Sequence, residues 1–148
     1  MGRDRSATGA LDATIVASWT KRVAAWAERE GVRAAPLLAS AGVERAALDD
    51  PNGRVPFRGH AELVASLARR MDDPGVGLAI GAAASAADFG VVGLLADNSP
   101  TLRDALTRIR RWNAVASEAS RMDFWVEGGR LVITDGHLRD GRPLPAAL

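Results

Sequence analysis

Cysteine is absent from the 148 residues, which excludes disulfides, thiolate nucleophiles and every cysteine-ligated metal site at once. Tyrosine is absent too. The two histidines, His60 and His137, are too far apart in sequence for an i,i+4 metal pair, so neither a metal nor another cofactor is expected. Charge of one sign is also lacking: 19 Lys plus Arg against 18 Asp plus Glu leaves +1. Bulk charge therefore argues neither for nor against nucleic acid. The opening MGRDRSATGALD carries no apolar run of signal-peptide length, and a cytoplasmic protein is the default expectation. A long, strongly hydrophobic run is missing as well. Val76–Leu95 has the length of a membrane span, but it is built mainly from Gly, Ala and Ser with Asp88 inside it. A carboxylate at that depth costs roughly 2.5–3.5 kcal/mol on insertion scales, so no membrane partner is expected.

The remaining composition, 47% hydrophobic and 25% charged, is that of one ordinary globular domain. Residues 1–12 read as a disordered tail and 13–148 as the folded part. From Ala13 the positions Val16, Trp19, Val23, Trp26 and Ala27 fall on one helical stripe, and Gly31 stops it. A short helix fits Pro36 to Ala41. Val43 to Arg54 reads as turns, and Pro56 opens a helix with His60, Leu63, Val64, Leu67 and Met71 on one face. Val76 to Ala83 predicts a short buried helix. Phe89 to Ala96 is apolar on every side, which predicts full burial. Thr101 is placed as an N-cap with Asp104 as its capping-box acid, ahead of apolar positions 102, 105, 106, 109, 112 and 116.

After Ser117 the period changes to two. Met122, Phe124 and Val126 alternate with Asp123, Trp125 and Glu127, and Gly128-Gly129 signals a two-residue hairpin returning through Leu131, Val132 and Ile133. No third strand is evident beyond Asp135. The fold class is therefore α+β, a mainly helical domain followed by an antiparallel β-hairpin that belongs to an incomplete sheet.

Catalytic motifs are poor, and no enzyme is expected. Asp88-Phe89-Gly90 spells a kinase metal triplet without any other kinase part. Gly75, Gly77 and Gly81 lack the spacing and the preceding strand of a dinucleotide fingerprint. Asp49-Asp50 and Asp72-Asp73 sit in turns beside proline and read as solvated acids. His60, on an apolar helix face, reads as a hydrogen-bonded, partly buried side chain rather than a base.

The segment 89–117 carries two opposed readings. A short turn and a second helix bearing Arg103, Arg108, Arg110 and Arg111 fit a DNA-binding helix-turn-helix. Against it, Phe89, Val91, Val92, Leu94 and Leu95 leave the first helix no polar face for the phosphate backbone, so burial is the favoured reading.

With that segment placed in a core, several runs take on a recognisable order. They are Leu37-Leu38 through Gly42, then Asn52-Gly53-Arg54-Val55-Pro56-Phe57, then Asp72-Asp73-Pro74-Gly75-Val76-Gly77-Leu78-Ala79-Ile80-Gly81. Asp88-Phe89-Gly90-Val91-Val92-Gly93-Leu94-Leu95 and Ser99-Pro100-Thr101-Leu102-Arg103-Asp104-Ala105-Leu106 follow. Together they resemble the N-terminal, arabinose-binding-type effector domain of AraC-type transcription regulators, over roughly Trp19 to Thr134. The resemblance implies a sensory domain that binds a small-molecule effector and helps form a homodimer, with DNA bound by a separate C-terminal helix-turn-helix half. No such half is present up to Leu148, so the chain is expected to be a partial sensory domain.

Four residues are predicted to line an effector pocket between the hairpin and the helix before it. Trp112 and Trp125 would stack on the ligand, Asn113 would hydrogen-bond it, and Arg121 would pair with an acidic group.

Overall fold

A computed structural model describes residues 13–139 together with 142 and 143; the tail expected over residues 1–12 lies outside them. In chain order the elements are β1 (Thr14–Val16), α1 (Ala17–Arg29), α2 (Ala34–Ser40), α3 (Arg45–Asp49), β2 (Arg54–Pro56), α4 (Phe57–Met71) and α5 (Val76–Ala82). A 3-10 turn (Ala86–Phe89), α6 (Gly90–Asp97), α7 (Leu102–Ala116), β3 (Ser120–Glu127), β4 (Arg130–Arg139) and β5 (Arg142–Pro143) complete the order. The α+β class is as expected, mainly helical and followed by a hairpin.

The first half is the better packed. Thr20, Val23, Trp26 and Ala27 form the buried stripe of α1, and His60, Leu63 and Leu67 that of α4. Their spacings of three and four put each set on one side of its helix. Around them close Ala34 and Leu38 of α2, Leu48 of α3, Val55 of β2, and Val76 and Ile80 of α5, in one continuous core. Helix α1 stops before Gly31, whose φ of +80° turns the chain away, and α4 stops at Asp72 in the left-handed region.

A short antiparallel ribbon sits at the edge of this core: Thr14, Ile15 and Val16 pair with Pro56, Val55 and Arg54. The sequence pattern missed it, because three-residue strands are too short to show a period. The stripe beginning at Val16 therefore starts as strand rather than helix, and the helix expected from Pro56 begins one residue later. Pro56 is extended, with ψ of 128°, and the Phe57 N–H donates to the Ala13 carbonyl at 2.9 Å. The stretch read as turns over Val43–Arg54 holds the one-turn helix α3.

The second half rests on close backbone approach. Helix α6 crosses the 3-10 turn at Gly93, where an added Cβ would lie 1.8 Å from the Ala86 carbonyl oxygen. Gly90, at φ +62°, makes the sharp bend between the two. Helix α7 begins as the capping signal predicted: the Thr101 hydroxyl accepts from the Asp104 N–H at 3.1 Å and donates to its carboxylate at 2.6 Å.

The expectation of a wholly buried 89–96 segment is corrected. Only Val92 and Gly93 of α6 are buried; Val91 is 56% and Leu94 50% exposed, with Phe89 and Leu95 just past one-third. An all-round apolar helix does not reveal which faces its neighbours cover, and here α7 and the 3-10 turn cover one. Helix α5 is one-sided for the same reason, with Val76 and Ile80 inside and Leu78 82% exposed. No single helix among the described residues is long and apolar enough to cross a membrane, and the stretch read against a span breaks by 111° between α5 and 86–97.

The hairpin forms in the expected register, Glu127 opposite Arg130 and Trp125 opposite Val132, around Gly128 and Gly129. Both glycines have positive φ, 55° and 76°, as the primed two-residue turn requires. The expectation of no third strand is corrected: β4 continues to Arg139, and β5 pairs with it through Leu138–Pro143 and Arg139–Arg142. Two residues of strand carry no alternation to read.

The Gly93 crossing gives a direct test. Gly93→Ala must push α6 off the 3-10 turn and is expected to cost about 1–3 kcal/mol. Gly81→Ala, where nothing lies within 4 Å of an added Cβ, should be neutral or stabilise by up to about 1 kcal/mol. Urea denaturation of both variants measures the difference; equal effects would contradict the crossing.

Candidate functional site

The two halves join at Thr14. Its backbone N–H and hydroxyl donate to one Glu118 carboxylate oxygen at 2.8 and 2.7 Å, and the Glu118 N–H returns to the Thr14 carbonyl at 2.9 Å. From the other side Arg54 donates to the Thr14 hydroxyl at 2.6 Å, to the Thr14 carbonyl at 3.2 Å and to the Val115 carbonyl at 2.7 Å. Ile15 forms an antiparallel bridge with Ser117. Strand β1 is therefore held by β2 on one edge and by the segment between α7 and β3 on the other.

A second seam lies at Asp88. Its carboxylate accepts from Arg22 at 2.8 Å and from the Ser85 N–H and hydroxyl at 2.7 and 2.8 Å, and its carbonyl accepts from the Ser18 hydroxyl. The next residue, Phe89, stacks on Trp19 with ring centroids 4.5 Å apart.

Between the seams lies a cavity of about 590 Å³, within the range of about 300–1,000 Å³ typical of small-molecule sites. Aromatic rings of Trp19, Phe57 and Phe89 form part of the wall. Ile15, Val16 and the α4 residues Ala61, Val64, Ala65 and Ala68 give an aliphatic surface, the alanines leaving space that larger side chains would fill. Polar groups are few: His60, Asn113, Ser117, Ser120 and Asp135. His60 is buried, with its Nδ1 2.9 Å from the Thr20 hydroxyl, between the rings of Trp19 and Phe57. It is the satisfied histidine the sequence suggested, yet it borders the cavity rather than lying away from it. Asn113 donates through Nδ2 to the Ser120 carbonyl at 2.9 Å and to its hydroxyl at 3.0 Å. Ser117 is 6% exposed, and its hydroxyl has no hydrogen-bond partner among the described residues.

Of the four predicted site residues, Asn113 alone lines this cavity. Arg121 borders a separate polar hollow of about 450 Å³ with Arg110, Arg111 and Glu118. Trp112 is 44% exposed beneath the Arg111 guanidinium, and Trp125 is 43% exposed with its indole N–H 3.4 Å from Glu127. Sequence reasoning passed over Trp19, Phe57, Phe89 and Ser117. Trp19 looked like core, Phe57 stood only as the end of the run from Asn52, Phe89 looked fully enclosed, and a lone serine between a helix and a strand carries no signal. The useful clue was the alanine row on α4, a helix face too small to fill its own surroundings.

The arginines of the helix-turn-helix reading are partly committed. Arg108 donates to the Leu95 and Asn98 carbonyls at 3.0 and 3.3 Å, closing the end of α6. Arg110 pairs with Asp123 at 3.1 Å and covers the Phe124 ring.

Electrostatics tighten both seams. Burial alone would raise the Asp88 carboxyl, but the Ser85 N–H, the Arg22 guanidinium and the Ser85 hydroxyl outweigh it and hold it below the usual range. The Thr14 hydroxyl and N–H, helped by the Arg54 charge, likewise outweigh burial and hold Glu118 low. Among the described residues no group of three or more acidic or histidine side chains is placed to hold a metal ion.

The family model for the arabinose-binding domain of AraC transcription regulators, N-terminal, matches residues 31–147. Two curated relatives are similar as well, one from Mycobacterium bovis and one from Mycobacterium tuberculosis. Each is named an uncharacterized HTH-type transcriptional regulator. Both are 34% identical over 92 residues, 62% of this chain but 27% of each relative, so the match spans about a quarter of their length.

The lowered Asp88 pKa makes stability depend on acid in a defined direction. A folded pKa below the unfolded one adds stability that is complete above the ordinary carboxylate range, about pH 5, and fades as pH falls through 4 and below. Asp88→Asn should cost about 1–3 kcal/mol at pH 7 and flatten that acid limb. Melting curves from pH 7 to pH 3 check it; an unchanged acid limb in the variant would remove Asp88 as a cause.

Proposed function

The chain belongs to the arabinose-binding N-terminal domain family of AraC transcription regulators, and from that premise we propose that it senses a small-molecule effector. The effector occupies the cavity between the two seams, and its binding biases a DNA-binding region attached elsewhere in the full-length protein. The observation that carries this reading is the cavity itself: about 590 Å³, mostly apolar, and walled by residues from both sides of the Thr14 joint. A ligand there touches α1 and α4 on one side and α7 and β3 on the other. It can therefore favour one arrangement of the halves over another, which is all that a population shift requires. Asn113 remains in the proposed site, and Trp19, Phe57, Phe89 and Ser117 join it.

DNA binding by α6 and α7 themselves has less support. Arg108 and Arg110 are tied to α6 and to the hairpin, which leaves Arg103 and Arg111 as the guanidinium groups facing outward. Two such groups give a weak electrostatic footprint for a duplex. The relatives named HTH-type regulators extend far beyond the matched segment, which is where the reading puts the DNA contacts.

A thermal-shift screen of metabolites tests the proposal. A compound that binds only the folded cavity at one hundred times its Kd adds about 2.7 kcal/mol of stability. Ala65→Trp, which fills the cavity from α4, should keep the helical circular dichroism and abolish that gain. A compound that stabilises the variant equally binds elsewhere. A gel shift of this chain alone at low salt, lost with Arg103→Ala and Arg111→Ala, would favour the rival reading.

A further inference from the structure

Taking the cavity as the effector site, its end nearest the hairpin carries a pair of hydrogen-bond acceptors. Asn113, in the last turn of α7, and Asp135, opposite Met122 in the hairpin, both line the cavity. Both also line a neighbouring, mostly apolar hollow of about 430 Å³ walled by Ala86, Gly93, Ile109 and Ile133. The pair therefore stands where the two spaces meet. Ser120 fixes the Asn113 amide: Nδ2 donates at 2.9 Å to the Ser120 carbonyl, which can only accept. The Asn113 Oδ1 is left as an acceptor, and no N–H or O–H of the described residues donates to it. Unlike the sealed hydroxyl oxygen of Ser117, this oxygen is open. Asp135 adds a carboxylate on an exposed residue. It already has an interaction within the chain, but two carboxylate oxygens offer about four lone-pair sites, so a further donor can be taken.

The charges around this pair are of one sign. Lysine and arginine are absent from both linings, whereas Asp135 lines both and Asp97 lines the smaller hollow. Arg22 and Arg54 of the two seams are committed to Asp88 and Thr14, and Arg121 borders a different hollow. Acceptors that lack donors call for a ligand head made of N–H groups. A protonated amine brings up to three donors and no acceptor, and its hydrogen bonds to a carboxylate are roughly twice as strong as neutral ones. A carboxylate or phosphate brought here would lose water with no cation to replace it. Because Asp135 is exposed, an ammonium beside it keeps part of its own hydration, which limits the desolvation cost. The apolar remainder of the molecule then lies against Phe57 and the α4 alanines.

We propose that the effector is an amphipathic cation, a protonated amine on an apolar body, with its head held by the Asn113 Oδ1 and the Asp135 carboxylate.

Three indoles of similar shape test this by calorimetry on the 148-residue chain at pH 7.5: tryptamine as cation, tryptophol as neutral analogue and indole-3-propionate as anion. Tryptamine should bind about tenfold more tightly than tryptophol, the value of one charge-assisted hydrogen bond, and indole-3-propionate more weakly than either. Asp135→Asn should bring tryptamine down to the affinity of tryptophol and leave tryptophol unchanged. Asp135→Lys should reverse the order, with indole-3-propionate now the tightest of the three. A variant that weakens all three alike marks Asp135 as structural, and one that leaves the wild-type order intact removes it from the site; either result overturns the proposal. Tryptophol or indole-3-propionate binding as tightly as tryptamine, with Ala65→Trp blocking it, overturns the cationic class while the cavity stands as the effector site. Failure of every probe to bind, or binding that Ala65→Trp leaves intact, overturns both.

Discussion

Thr14 is where the two halves of this molecule are fastened, and the rest of the arrangement depends on that fastening. One threonine supplies a hydroxyl that accepts from Arg54 and donates to Glu118, a backbone N–H for the same carboxylate, and a carbonyl for Arg54 and the Glu118 N–H. A single oppositely charged pair at a surface contributes little. Here the charges act through hydrogen bonds to a strand, and the strand extends pairing from β2 across to Ser117. Without that bridge, α7 and the hairpin would be held to the helical core mainly through Asp88 and the Trp19–Phe89 stack. Ile15, Val16, Ser117 and Asn113 come together at this joint, so the same fastening that orients the hairpin also builds one wall of the cavity.

The packing around the two seams is uneven in an instructive way. The first half has a continuous core in which Val23, Leu63, Leu67, Val76 and Ile80 are fully enclosed. The second half buries little beyond Val92, Leu106, Ala116 and Ala119, and it leaves apolar side chains of α6 and the hairpin open. Local stability follows buried contact, so the hairpin and α6 belong to the more easily displaced part. A cavity placed between a firm half and a loose one is well suited to sensing, because small changes in its contents are met by movement on one side only.

How far the fold could be read from the chain depended on the length of each pattern. α1, α4 and α7 were legible because a 3.6-residue period repeats over 13 to 15 residues. The hairpin was legible because Gly128-Gly129 admits one turn geometry and β3 alternates from Met122 to Glu127. β1, β2 and β5 were not, since two or three residues carry no period and their pairing is long-range. The burial of 89–96 was misjudged because hydrophobicity states what a side chain prefers, not what neighbours are present to cover it. The predicted site residues and the cavity differ for a related reason. Trp112 and Trp125 were chosen for ring size near the predicted hairpin, whereas the cavity is bounded by Trp19, Phe57 and Phe89, which three separate segments bring together. Asn113 falls in both sets because it lies in the last turn of α7, a legible helix that leads into a legible strand.

The corrected burial of α6 also bears on the choice between sensing and direct DNA contact. The argument from an enclosed helix no longer holds, since Val91 and Leu94 face solvent. What replaces it is the state of the arginines. A recognition helix must offer its guanidinium groups to phosphates and bases, at no cost to its own fold. Freeing Arg108 would expose the Leu95 and Asn98 carbonyls at the end of α6, and freeing Arg110 would uncover Phe124 and leave Asp123 without its cation. Each contact with a duplex would therefore be set against an internal one, and the outward apolar side chains would meet a highly charged surface. The same features suit a sensory domain, in which arginines lock α6, α7 and the hairpin into one body that a ligand can tilt as a unit against the helical core.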